Sequence, residues 1–395
     1  MPLITTRVTA APDATLKGTP LTNAEIDQNF INLNNAITLS GDATGFPDRT
    51  SSNITFNAST RTITLAPTGA NFSVYFKGKA YQISAAKTLV IANSSGGRYI
   101  GYNYTTGNLE DLGATPNFTT NILVAYIYWN SVDQAAIFFG DERHSVARDV
   151  IWHSHQHNTI GAIWKTGGDA SYTVNNTNTV QVAFSSPITF SDEDLDFTIT
   201  DGSTGLPYSQ SIDVNASLPI LYLNGTVYKQ TAATTVPWYP STTRAYYNQV
   251  TGGSGSLVTA SANNMYLVYW VVLTNDSVYP VKLVMGRGAY LSYGEAETEN
   301  FDDYGLPMPE IVPMYKVILK TSDTYTQNTA RVNISGFREL VGKQNARGNS
   351  FDTMSHDSLS DRFNSNQHSI SSITDLQTTL DSIAGASVAM AIALG

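Results

Sequence analysis

Short runs of β-branched and aromatic residues, broken by Gly, Asn, Pro or Ser, fill the chain from about residue 48 to 140 and again from 170 to 340. "SNITFNASTRTITLA", "NFSVYFKGKAYQI", "RYIGYNYTTG" and "NILVAYIYWN" are too short and too β-branched for helices, so they predict antiparallel strands joined by tight turns. The second block repeats the first in order. Gly78, Tyr81, Ala85-Ala86 and Thr88 match Gly225, Tyr228, Ala232-Ala233 and Thr235 at an offset of 147; Tyr102-Asn103 match Tyr247-Asn248 at 145, and Leu123-Val124 match Leu267-Val268 at 144. A small drift of this kind is what loop insertions and deletions leave behind. The expected architecture is mainly β, with two related antiparallel sandwich-like domains. The second carries extra strands in front, "TVQVAFSSPITF" and "LDFTITDG".

A different period appears near each end. In "PLTNAEIDQNFINLNNAITLSG", Thr22 and Glu25 form a capping-box pair, and Ile26, Phe30, Leu33 and Ile37 follow at spacings of 4, 3 and 4 until Gly41. In "SSITDLQTTLDSIAG", Ile373, Leu376, Leu380 and Ile383 repeat at 3, 4 and 3. Both read as short helices with a coiled-coil seam. A lone helix of that length is marginal in water, so each seam needs a partner: its own β-domain or sister chains. Five segments result: 1–45, an arm and short coiled-coil helix; 46–140, β-domain 1; 141–169, a His-rich connector; 170–340, β-domain 2; and 341–395, a polar linker, a second coiled-coil helix and an apolar C-terminus.

Composition narrows the function. Charged residues are 14% of the chain, well under the usual quarter or so; polarity comes instead from Ser, Thr, Asn, Gln and 22 tyrosines. The net charge is −10 without clusters of Lys or Arg, which argues against a phosphate-neutralising, nucleic-acid role. Cysteine is absent, which excludes disulfides and thiolate metal sites. No stretch approaches the roughly eighteen apolar residues of a membrane span, and the first residues lack the order of a secretion signal. Membrane insertion is not expected, and synthesis in a cytoplasm is.

The two ends carry a resemblance. "LKGTPLTNAEIDQNFINLNN" (16–35) resembles the N-terminal attachment segment of many tailed-bacteriophage tail fibres, and "HDSLSDRFNSNQHSISSITDLQTTLD" resembles a segment recurring in phage tail-fibre and tail-tip proteins. The middle, "GDERHSVARDVIWHSHQHNTIGA" and "LPMPEIVPMYKVIL", is similar to tail proteins of contractile-tailed phages. The family implies a homotrimeric fibre in the virion, assembled in the host cytoplasm. Its N-terminus would attach to baseplate or tail proteins, and its distal side would meet a further fibre protein or a host-surface glycan. It implies a structural and adhesive role without catalysis. The chain departs from a long fibre in lacking fibrous repeats, which fits a proximal or adaptor part.

Candidate chemistry centres on "VIWHSHQHNTIGAIW", where His153, His155 and His157 alternate. On a strand all three share a face; on a helix His153 and His157 stack while His155 points away. Three readings stand: a hydrogen-bonded connector, a metal staple on a trimer axis, and a catalytic metal. The staple is similar to the octahedral iron sites of some phage spike and fibre trimers, and would take Fe²⁺ or another divalent metal. The catalytic reading lacks an HExxH-like spacing to Asp141, Glu142 or Asp149. "SDEDLDF" puts Asp192, Asp194 and Asp196 on one strand face, as a calcium site or, more simply, a solvated β-edge. Glu295, Glu297, Glu299, Asp302 and Asp303 would supply a polysaccharide-cleaving pair or a solvated loop. Tyr102, Trp238, Tyr239 and Tyr247 would stack on a sugar or fill a β-core.

Overall fold

The structure is a computed structural model and describes residues 4–6, 14–16, 19–40, 43–146, 150–173, 180–202, 207–304, 306, 308–341 and 343. Strand accounts for 51% and helix for 10%, in agreement with a mainly-β chain. After the parallel pair β1 (Ile4–Thr6) and β2 (Ala14–Leu16), helix α1 runs over Asn23–Ser40. Its expected capping box is present: the Thr22 backbone N–H donates to Glu25 Oε2 at 2.7 Å and the Glu25 N–H to Thr22 Oγ1 at 3.2 Å. Ile26 and Phe30 are 39% and 66% exposed on this chain. Leu33 and Ile37 continue along the same helix, but their side chains fall outside the described residues. So do residues 344–395 and with them the second stripe, Ile373, Leu376, Leu380 and Ile383.

The first β-region contains β3 (Ser52–Asn57), β4 (Thr62–Pro67), β5 (Phe72–Phe76), β6 (Lys79–Ile83), β7 (Lys87–Val90), β8 (Gly96–Asn103), β9 (Asn108–Gly113), β10 (Asn121–Asn130) and β11 (Ala135–Asp141). They form antiparallel sheets of order β11-β10-β8-β9, β3-β4-β7 and β5-β6. Apolar residues of all three, among them Ile63, Val74, Ile100 and Trp129, share one core. Strand β10 is buried on both faces, which explains its near-continuous apolar run. Ile122 and Val124 face that core, while Leu123 and Tyr126 face a second cluster. A bulge between Leu123 and Ala125 shifts the phase, so that Ile127 and Trp129 return to the first core.

Helix α2 (Val150–Thr159) follows, then β12 (Ala162–Thr166), β13 (Ala170–Tyr172), β14 (Val182–Phe184), β15 (Ile188–Asp192) and β16 (Leu195–Ile199). The rest comprises β17 (Ile220–Asn224), β18 (Val227–Gln230), β19 (Tyr246–Thr251), β20 (Ser254–Thr259), β21 (Tyr266–Thr274), β22 (Val281–Tyr290), α3 (Tyr293–Glu297), β23 (Ile311–Thr321) and β24 (Val332–Glu339). Its main sheet has the order β18-β17-β22-β21-β23-β24, antiparallel except for β17 beside β22. In central strand β21, Leu267, Tyr269, Val271 and Leu273 face one core while Val268, Trp270 and Val272 face the other. The hairpins β5–β6, β8–β9 and β10–β11 fall in the same order as β17–β18, β19–β20 and β21–β22. Their sheets assemble differently: β10 takes β8 as its other neighbour, whereas β21 takes β23. Among the described residues no helix is long and apolar enough to cross a membrane.

The two β-regions, expected as separate domains, share a core here. Ile137 of β11 is buried with Val268, Val284 and Ile318 of the second region, and Tyr128 packs against them. Polar contacts tie the same seam. The Ser277 N–H donates to Phe139 O at 3.0 Å, and Asn130 Nδ2 donates to Tyr228 O at 3.1 Å. Lys282 is fully buried, and burial lowers its pKa despite Asp276 beside it. Its Nζ reaches Asp276 Oδ2 at 2.6 Å, Ile137 O at 2.7 Å and Gln230 Oε1 at 2.6 Å. Removing one partner of a buried ion pair strands the other. Lys282→Ala is therefore expected to lower unfolding free energy by about 3–5 kcal/mol, read by urea denaturation; a loss below about 1 kcal/mol would refute its role as the pin of the seam.

Candidate metal centre

Where the two β-regions meet, four short pieces of chain direct polar side chains inward. The first follows β11. Arg143 grips Asp141 through Nε and Nη2 at 2.8 and 2.7 Å, and its Nη1 donates to Ser52 O at 2.7 Å. That clamp fixes the backbone on either side of Glu142, which is fully buried, and His144, which is nearly so. The second piece is α2, whose i, i+4 spacing stacks His153 over His157. Gly161, at φ +59°, ends this helix with its N–H on Gln156 O, and an added Cβ would lie 2.9 Å from Pro309 O. That close approach sets α2 against Pro309 and its neighbour Glu310, the third piece. The fourth is the tip of the β15–β16 hairpin, Asp192-Glu193-Asp194, with Glu193 at φ +52°. Asn275, just beyond β21, completes the set.

The contacts form one network. Asn275 Nδ2 lies 2.7 Å from Glu142 Oε1, 2.9 Å from Asp192 Oδ2 and 3.2 Å from Glu310 Oε2. His144 Nδ1 is 2.7 Å from Asp194 Oδ1, and its Nε2 is 3.4 Å from Glu142 Oε2. His157 Nδ1 is 3.0 Å from Glu193 Oε1, and its Nε2 is 3.6 Å from Glu310 Oε1. The Tyr99 hydroxyl donates to Glu310 Oε1 at 2.8 Å and lies 3.1 Å from His157 Nε2. His153 Nε2 is 3.1 Å from Glu193 Oε2 but outside hydrogen-bond geometry, and Asp192 Oδ1 is buried without a partner. Phe118 covers His153 and His157 edge-on, at 4.6 and 5.5 Å between ring centres.

Five carboxyls thus meet three imidazoles, and among the described residues no Lys or Arg pairs with any of the five. Burial, then the neighbouring Asp192, pushes Glu142 up to about 7; burial, then Glu142, pushes Glu310 up to about 8. Burial and Glu310 hold Asp192 well above the usual carboxylate range. Burial opposes a charge on His144, but Asp194 and Glu142 overcome it and raise its pKa well above normal. Burial opposes the same shift at His157, where Glu193 and Glu310 raise it. His153 is lowered by burial and then by the other two imidazoles. Burial works against ionisation of half-buried Asp194, but His144 lowers its pKa below the usual range.

Two groups of three residues, Glu142–His157–Glu310 and Glu142–His144–Asp192, each bring ligand atoms within 4.8 Å of one another, as does His144–His153–Glu193. Mixed imidazole and carboxylate donors suit a divalent transition metal. The adjoining cavity, about 10 Å³ beside Glu142, His144 and His153, has room for about one water or ion and none for an organic substrate.

The structure places the other expected residues as follows. The histidine segment is a helix; His153 and His157 enter the cluster, while His155 is exposed on its opposite side. Asp192, Asp194 and Asp196 do not share a strand face, because the chain turns at Glu193-Asp194 to form the hairpin; Asp192 is buried, Asp194 half-buried and Asp196 exposed. Tyr102 and Trp238 cannot stack on a sugar, being 4% and 1% exposed, with Trp238 Nε1 on Val180 O. Tyr239 and Tyr247 are half-buried against the core of the second region. The acidic run is structural where its side chains are described. Glu295 closes the capping box of α3 with Ser292, Glu297 meets Arg338, and Glu299 accepts from Tyr290, Tyr304 and the Arg287 N–H. The side chains of Asp302 and Asp303 fall outside the described residues.

Sequence reading missed His144, Asn275 and Glu310. The available signals were a Glu-x-His pair straight after an apolar strand and a lone acid inside "LPMPEIVP".

No family model, no curated protein and no solved structure matches this chain.

Gly140 permits the approach of Asn275: a Cβ there would sit 2.1 Å from Asn275 Oδ1. Gly140→Ala is expected to cost about 1–3 kcal/mol in urea unfolding. Gly69→Ala, where a Cβ meets nothing within 4 Å, should stay within about 0.5 kcal/mol. Equal effects would contradict the packing described.

Proposed function

We propose that this chain is a structural part of a tailed-phage virion, a homotrimeric tail fibre held to the baseplate or tail by its N-terminal arm and supporting adsorption to the host. In this reading two related sandwich-like β-regions lie between short coiled-coil helices, the trimer is assembled in the host cytoplasm, and the distal side meets a further fibre protein or a host-surface glycan. The observation that carries it is the apolar stripe of α1. A well-capped helix leaves Ile26, Phe30 and Ile31 exposed on a single chain, and water penalises such a stripe until another surface covers it. Sister copies of the same helix fit a seam of this spacing.

A second reading, glycan binding, is favoured by one feature. A groove of about 700 Å³ is lined by Tyr222, Tyr239, Lys229 and Asp133. The two tyrosine rings are 5.8 Å apart at 39°, and the lysine and aspartate pair at 2.8 Å. Flat rings beside hydrogen-bonding groups are what sugar recognition uses.

Light scattering on the purified full chain tests the first reading. A mass about three times the 42.7 kDa chain is expected at micromolar concentration, and Phe30→Asp should reduce it to that of one chain. A wild-type monomer would contradict the trimer. A glycan array tests the second reading: Tyr239→Ala should weaken any host-glycan signal by at least about tenfold, and an unchanged signal would remove the groove from consideration.

A further inference from the structure

We propose that Glu142, Asp192, Glu310 and the Nε2 atoms of His144 and His157 bind one divalent first-row transition-metal ion within each chain. The site lies within one chain and takes only His157 of the three alternating histidines, unlike a staple on a trimer axis, and it stands whether or not the fibre reading does.

Glu142 belongs to both of the tight groups, with His157 and Glu310 and with His144 and Asp192, so an ion in either group lies against its carboxylate, and the five-ligand site proposed draws the two groups together around it. Metal–ligand bonds of about 2.0–2.2 Å place adjacent donors some 3 to 4.4 Å apart. His144 Nε2 to Glu142 at 3.4 Å and His157 Nε2 to Glu310 at 3.6 Å already fall in that range.

The arrangement around the imidazoles is the stronger indication. A metal-binding histidine usually has its other ring nitrogen held by a carboxylate, which fixes the ring and its tautomer. Asp194 does this at His144 Nδ1, 2.7 Å away, and Glu193 at His157 Nδ1, 3.0 Å away. Both rings therefore present Nε2 to the inner carboxylates. At His157 the Tyr99 hydroxyl shares that face, 3.1 Å from Nε2.

An independent observation comes from the carboxylates. Asp192 is fully buried with Oδ1 unpartnered, next to Glu142 and Glu310. Three carboxylate oxygens converge on Asn275 Nδ2, although an amide nitrogen has only two hydrogens to give. The third oxygen needs either a proton retained by a neighbouring carboxyl or a cation, and a divalent ion that displaces that proton satisfies all three. Calcium and magnesium favour oxygen-only shells; the two imidazoles select a transition metal such as Zn²⁺, Fe²⁺ or Mn²⁺.

The test uses the full chain, stripped with chelator and titrated with Zn²⁺ and Co²⁺. Wild type is expected to take up one equivalent, to show Co²⁺ d–d absorption bands, and to gain about 5 °C or more in melting midpoint on loading. Glu142→Gln should abolish uptake. Should that variant not fold, Asp194→Asn, which meets His144 only at its outer nitrogen and otherwise accepts from the Ser145 N–H, should weaken binding about 10–100-fold with an unchanged circular dichroism spectrum. His155→Ala should retain the full equivalent. No stoichiometric uptake by wild type, stronger stabilisation by Ca²⁺ than by Zn²⁺, or loss of metal in His155→Ala would each overturn the proposal.

Discussion

Burying carboxylates with no lysine or arginine beside them is costly, because each charge leaves water for a medium that solvates it poorly. Among the described residues this happens at the junction of the two β-regions, where Glu142, Asp192 and Glu310 are all fully buried. Much of the surrounding architecture can be understood as what holds those groups together. The Arg143 clamp fixes one side, the Gly161 terminus of α2 sets the histidines, Gly140 lets Asn275 in, and Lys282 ties the flanking strands. A cation of matching size would turn this costly arrangement into a cross-link between four pieces of chain distant in sequence.

Such a cross-link suits a part that transmits load. The shared core through Ile137 and the polar contacts along Phe139, Asn130 and Lys282 already stop the β-regions from hinging freely. A metal at the same seam would stiffen it further without any moving element. The stripe on α1 is exposed on a single chain, and in the proposed trimer it would be the surface that meets sister copies. Rigidity within the chain and association outside it are the two properties that the fibre reading requires.

The sequence was most informative where structure is local. The α1 capping box and the placement of the β-hairpins could be read from spacing and turn residues, because both are set within a few positions. The i, i+4 relation of His153 and His157 was also legible, though whether the segment was strand or helix was not; the preference is settled by packing against Phe118 and Pro309. The cluster itself was only half visible. Glu142 lies 50 residues from Asp192 and 168 from Glu310, and nothing short-range records that β11, the β15–β16 hairpin and β23 converge. Two of the aromatic candidates are buried for a related reason: Tyr102 and Trp238 flank turns in sequence but point into cores, and at Tyr102, in β8, the phase of the strand decides which face the ring takes.

Anomalous diffraction at the absorption edge of the bound metal, from crystals of the zinc- or cobalt-loaded full chain, would show where the ion sits. One peak per chain is expected, within bonding distance of Glu142 and of the Nε2 atoms of His144 and His157. A map with no peak there, or with its strongest peak on a threefold axis beside His155, would contradict the proposed site.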